Sequence, residues 1–169
     1  MTPEVRRATP PEYEEAGRVT ALAYREFVRP GSGDWETYLK RIADVAERAA
    51  RTTILVVSED GRILGSATLE LNQRTEAEDG TLAPEEAHIR MLGVDPSARG
   101  RGLGPLLMQA CEARAVAAGK TRMTLHTTER MAAARRMYEA LGYVRGEDRV
   151  FDDGFVLMSY AKALTGPEP

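Results

Sequence analysis

Val94-Asp95-Pro96-Ser97-Ala98-Arg99-Gly100-Arg101-Gly102-Leu103-Gly104-Pro105 joins two apolar stretches that repeat with different periods. Upstream, residues 86 to 94 carry the β-branched and aliphatic pattern of a strand, stopped by Asp95-Pro96. Downstream, Leu103, Leu106, Leu107, Ala110 and Cys111 follow the i, i+3, i+4, i+7, i+8 spacing of one helix face. The segment is therefore a turn from a strand end into a helix start. The first N–H groups of a helix lack internal partners and sit at the positive end of its dipole, so an anion there gains on both counts. Gly100, Gly102 and Gly104 remove the Cβ atoms that would hold a pyrophosphate away, and Arg99 and Arg101 add charge and donors. A dinucleotide fingerprint would need glycine three residues after Gly104, where Leu107 stands, and a P-loop would need Gly-Lys-Ser/Thr, which the chain lacks.

Working outward, Thr9-Pro10-Pro11-Glu12 has the form of a capping box, followed by Ala16, Val19, Ala23 and Phe27 at helical spacing. Residues 29 to 34 break that helix, and Trp35, Tyr38, Leu39, Ile42, Ala46 and Ala49 predict a second one. Thr53 to Ser58 and Ile63 to Leu71 read as a strand pair turned at Asp60-Gly61. Asn72 to Glu85 reads as an acidic surface loop. After the central helix come a strand at Thr121 to Thr127 and a helix bearing Met131, Ala134, Tyr138 and Leu141, capped by Gly142. Two closing strands, Tyr143 to Phe151 and Phe155 to Ala161, complete the pattern. The order predicts one α/β domain over residues 1–164, with about seven strands and about four helices, and a frayed tail at 165–169.

Composition bounds the function. With 43% hydrophobic and 29% charged residues, the chain is an ordinary globular one, and no apolar run approaches the ~18 residues of a spanning helix. The start Met1-Thr2-Pro3-Glu4-Val5-Arg6 has no apolar stretch behind a basic segment, so a cytoplasmic protein is expected. A net charge of −3 argues against a long nucleic-acid footprint, and the single Cys111 excludes an internal disulfide and a cysteine-rich metal site. His126, Asp148, Asp152 and Asp153 lack metal-ligand spacing and read as solvated or turn residues.

The segment Arg99 to Gly104 has the form Arg-x-x-Gly-x-Gly, which resembles the acetyl-CoA pyrophosphate loop of the GNAT superfamily of N-acetyltransferases. Leu92-Gly93-Val94-Asp95-Pro96 is similar to that family's fourth strand and its exit, and Ala134 to Tyr143 to its Ala-x-x-x-Tyr-x-x-x-Gly-aromatic segment. The resemblance implies a mixed, largely antiparallel central sheet, acetyl-CoA as cosubstrate, no metal, and a small-molecule or peptide amine as acceptor, with a homodimer as one arrangement. It implies that main-chain groups of Leu92 and Val94 pair with the pantetheine arm, with Gly93 suited to a bulge. It also places the amides of Arg99, Gly100, Gly102, Leu103 and Gly104 around the pyrophosphate, with Arg101 adding charge. Pro105, having no N–H, suits the first helical turn but gives no amide.

Acetyl transfer to an amine needs a neutral nucleophile, a donor for the oxyanion and an acid for the thiolate. Tyr138 stands at the family's tyrosine position, which implies the acid, although its stripe equally suits a core tyrosine. Glu86, His88, Arg90, Leu92 and Val94 share one parity, so a strand without a bulge puts them on one face. His88 then falls where related histone-acetylating enzymes carry a base, with Glu86 as the reserve and ordered water as a third option. Met131 replaces an asparagine that often touches the cofactor. The rival readings are a silent acyl-CoA sensor and a scaffold on the same fold.

Overall fold

The computed structural model describes residues 2–27, 33–76, 80–152 and 154–165. Gly31, Ser32, Glu78, Asp79, Asp153 and residues 166–169, which enter the loop and tail expectations above, lie outside the described residues. The chain runs β1 (Glu4–Arg7), α1 (Tyr13–Tyr24), α2 (Gly33–Ala43), α3 (Val45–Ala49), β2 (Thr53–Glu59), β3 (Arg62–Glu70) and β4 (Glu86–Val94). It continues α4 (Leu103–Ala117), β5 (Arg122–Thr127), α5 (Ala132–Ala140), β6 (Val144–Arg145), β7 (Arg149–Val150) and β8 (Val156–Ala163). The strands form one eight-stranded sheet in the order β1-β2-β3-β4-β5-β8-β6, with β7 also beside β8. Among the described residues, only β4 and β5 run parallel.

Both counts exceed the sequence expectation for local reasons. The predicted second helix divides at Asp44, whose backbone leaves the helical region (φ −85°, ψ 68°) and whose carboxylate accepts the Glu47 N–H at 3.2 Å, capping α3. At the same corner the Arg48 guanidinium is buried. It donates to the carbonyls of Arg41 (2.9 Å) and Ile42 (2.8 Å) at the end of α2, and to Thr68 Oγ1 on β3 (3.0 Å). Burial lowers its pKa to about 10, which leaves it cationic at neutral pH. The first closing strand divides into β6 and β7 because residues 146–148 between them have no register partner on β8, the Gly146 N–H making a last bond to Ser159 O at 2.8 Å.

Two cores flank the sheet. Leu55, Leu69, Ile89 and Leu125 meet Leu107, Met108 and Cys111 of α4 on one face, with Tyr138 of α5 in the same cluster. Cys111 sits at the core position its spacing predicts, where burial pushes its thiol up to about 12. On the other face, Ile54, Val56 and Ile63 meet Ala16 and Val19 of α1 and Val45 of α3. Strand alternation therefore decides which helical layer each side chain faces. The hairpin turn is as predicted, with positive φ at Asp60 (53°) and Gly61 (77°). No helix among the described residues is long and apolar enough to cross a membrane.

Candidate active site

The pairing of β4 with β5 ends at Ile89↔Leu125, yet β4 continues beside β3 to Val94 and β5 continues beside β8 to Thr127. The two strands part at the middle of the sheet, and from Arg90 onward β4 has no strand on its β5 side among the described residues. The Asp95 N–H bonds Leu64 O on β3 at 2.8 Å. Because successive backbone groups alternate sides, the Val94 N–H points to the edge that β5 has left.

Within β4, Met91 has φ +51°, and the register with β3 slips by one residue between Ser66↔Gly93 and Thr68↔Arg90. The bulge lies there rather than at Gly93. Gly93 is needed for a different reason: a Cβ would stand 3.0 Å from the Ala23 Cβ and 3.3 Å from the Thr20 Cα, so it lets α1 approach β4. The bulge also overturns the expectation of one face for Glu86, His88, Arg90, Leu92 and Val94. Leu92 and Val94 pack against the α4 core, whereas His88 lies on the α1 face, where its neighbours Thr68 and Glu70 on β3 also point. An extra residue inverts every side chain beyond it.

His88 is only 3% exposed. Its Nδ1 is 2.6 Å from Thr124 Oγ1, and its ring centroid is 4.9 Å from that of His126. Burial first, then the charges of His126, Arg74 and Arg90, hold its pKa well below the ordinary histidine value, so the ring is neutral at pH 7. The structure thus puts His88 behind the cleft wall instead of at its surface. Glu86 sits at the start of β4, three residues before the strands part, and its carboxylate is bound by Arg122 at 3.0 Å. It is not brought to the gap.

Tyr138 lies in the α4-side core, its ring 6.1 Å from that of Tyr143 and 6.0 Å from that of Tyr160. Those neighbours donate to Glu112 (2.8 Å) and Glu139 (3.1 Å) respectively. Burial pushes the Tyr138 phenol far up, so its hydroxyl stays protonated at neutral pH. The Tyr138 phenol also disfavours ionisation of Tyr24, although α1 packs on the opposite face of the sheet. Tyr24 of α1 and Tyr38 of α2, both half-buried and both acted on by Arg90, lie on the helical side of the sheet. Sequence reading placed Tyr38 in a packing stripe and gave Tyr24 no role, because neither belongs to a motif.

The gap leads into the glycine turn. Asp95 accepts from Ser97 N (2.9 Å) and Ser97 Oγ (2.8 Å), fixing the strand exit. Gly100 (φ 79°) and Gly102 (φ 76°) are left-handed, and Gly102 is the N-cap of α4. Gly104 has another task. A Cβ there would be 2.9 Å from Met137 Sδ, so this glycine leaves room for the Met137 side chain of α5. Arg99 is ion-paired with Glu26, and Arg101 with Glu59 at 2.6 Å. Their charge is partly neutralised, which leaves the α4 N-terminal amides as the principal anion donors. Met131 caps α5 without a side-chain hydrogen bond to the helix, its sulfur 3.4 Å from Thr127 Oγ1.

Known proteins resemble this chain in both sequence and fold. Residues 18–143 match the model of the acetyltransferase (GNAT) family. The chain belongs to the GNAT acetyltransferase family. Among curated proteins, the mycothiol acetyltransferase of Cellulomonas flavigena is 32% identical over 91 residues, which cover 54% of this chain. That of Thermobispora bispora is 33% identical over 85 residues. The chain spans only 26% and 28% of the lengths of those two relatives. The fold matches the ribosomal-protein-S18-alanine N-acetyltransferase of Escherichia coli with a TM-score of 0.70 at 17% identity, covering 99% of this chain and 97% of that one. It also matches yncA of Salmonella typhimurium, solved with its cofactor acetyl-CoA, with a TM-score of 0.70 at 18% identity, covering 100% and 98%. The mixed sheet of this GNAT domain is the fold that the Arg-x-x-Gly-x-Gly resemblance implied.

Proposed function

We propose that the protein moves the acetyl group of acetyl-CoA to a primary amine by direct attack in a ternary complex. The observation that carries this reading is the continuous path from the unpaired edge of β4, past Val94, to the left-handed glycines at the start of α4. Pyrophosphate at the amides of residues 99–104 directs the pantetheine arm back along that edge, as an added strand. Leu92 and Val94 supply its main-chain partners, and an N–H near Leu92 faces the thioester oxygen. The acetyl group then lies in the gap, with Tyr138 on the α4 side and the α1 and α2 helices on the other.

The amine enters from the α1 and α2 face, as a small molecule or a peptide end. Its nitrogen bonds to the thioester carbon while the C–S bond breaks, and the sulfur takes the Tyr138 proton. Mixing the protein with acetyl-CoA and a panel of primary amines, including an alanyl peptide, tests this. The expected result is amine-dependent release of the CoA thiol together with an acetylated product by mass spectrometry. Acetyl-CoA that raises the melting temperature without thiol release from any amine would favour the sensor reading, and no stabilisation at all would favour the scaffold.

A further inference from the structure

His126 is the first β5 residue beyond the last pair with β4, and it stays anchored to β8 opposite Ser159. Thr124 and His126 share one face of β5, which is also the His88 face, because His88 Nδ1 meets Thr124 Oγ1 at 2.6 Å. The two imidazoles contact at 4.9 Å with their planes at 57°. Their exposures differ sharply: His88 is buried and His126 is open to solvent. The pair therefore runs from the interior out to the mouth of the gap, on the face from which the amine arrives. Sequence reading took His126 for a solvated residue, because only the parting of the strands gives its position a meaning.

We propose that His126 takes the proton of the acceptor amine, with His88 as a positioning residue behind it. The proposal rests on the acetyl-transfer reading above. Two rings in contact do not both accept a proton at low cost, and the buried one carries the larger penalty, so the proton goes to the outer ring. The remaining groups act in the same sense. Arg74, after β3, and Arg90, on β4, are cations near His88, and Glu70, its register partner on β3, is engaged by the Thr75 N–H and by Arg74. From the helical side, Tyr24 and Tyr38 stay neutral, because burial raises both phenols. Thr124 Oγ1 also lies 3.3 Å from Ala87 O. With its proton directed there, it accepts from His88 Nδ1–H and fixes the orientation of the inner ring.

The protons balance. An ammonium acceptor gives one proton to His126, which passes it to solvent. The freed lone pair forms the C–N bond, and as the C–S bond breaks the sulfur takes the Tyr138 proton, replaced by the second proton leaving nitrogen. One proton stays on the amide, so ammonium and thioester become amide, thiol and a released proton.

The test is the pH dependence of kcat/KM between pH 6 and 9.5, using the alkylamine of the panel that the parent turns over fastest. In His126→Ala the expected loss is about 10- to 100-fold near pH 6.5, shrinking above pH 9, where more of the amine is already neutral, with an unchanged KM for acetyl-CoA. His88→Asn, whose amide also donates to Thr124, should retain most of the rate, while His88→Ala loses kcat at an unchanged acceptor KM. A His126→Ala variant at the parent rate, or one with an equal loss at every pH and a raised acceptor KM, overturns the proposal. So does a His88→Ala variant that folds and keeps the parent kcat. A parent that turns over no amine removes the transfer reading and this proposal with it, whereas an active parent with an unaffected His126→Ala removes the proposal alone.

Discussion

Gly102→Asp should weaken acetyl-CoA binding by about 100-fold or more, which corresponds to ~2.7 kcal/mol. The effect has two sources. Gly102 caps α4 at φ 76° and ψ 18°, where an L residue costs roughly 1–2 kcal/mol, so the turn becomes less well set. The larger source is the new carboxylate, which would accept the α4 N–H groups itself and repel the pyrophosphate. A Cβ at this position meets nothing within 4 Å, so the chain can fold around the substitution. Gly102→Ala separates the sources, since it carries the strain without the charge and should lose distinctly less. Calorimetric titration decides, and a folded Gly102→Asp variant with the parent affinity would show that the anion binds elsewhere.

Tyr138→Phe should reduce kcat by about 100-fold while the KM for acetyl-CoA changes less than about twofold, because the hydroxyl is needed only as the thiolate departs. Phenylalanine keeps the ring among Tyr143 and Tyr160 and should fold like the parent. Since burial holds the Tyr138 pKa above its ordinary value, the acid stays protonated through the assay range and adds no basic limb of its own below about pH 10. Steady-state kinetics on both proteins check this. Equal turnover at every pH would make Tyr138 a packing residue and assign the proton to water.

The strand-to-helix turn was legible because its signals are local: a β-branched and aliphatic run up to Val94, Asp95-Pro96, glycines at 100 and 102, then a helical stripe. The Asp60-Gly61 hairpin and the buried Cys111 follow from equally short patterns. What escaped depends on distant partners. Nothing near Met91 in the sequence marks a bulge, since its positive φ belongs to the fit of β4 against β3. That single residue placed His88 and Leu92 on opposite faces and made strand parity misleading. Arg99 and Arg101 looked like phosphate ligands until the fold brought Glu26 and Glu59 to them. Likewise Gly93 and Gly104 looked like parts of the cofactor motif, yet each also admits a neighbouring element, α1 or Met137 of α5. His126 gains a role only from the parting of β4 and β5, a property of two strands that no single stretch encodes.

Amide hydrogen exchange with and without acetyl-CoA tests the central claim most directly, because the claim is that the cofactor occupies the edge that β5 abandons. The account predicts slowed exchange at Val94 and at the amides of residues 100–104, with β1, at the far edge of the sheet, unchanged. Protection confined to other surfaces, or none at Val94 and the α4 N-terminus in a protein saturated with acetyl-CoA, would contradict it.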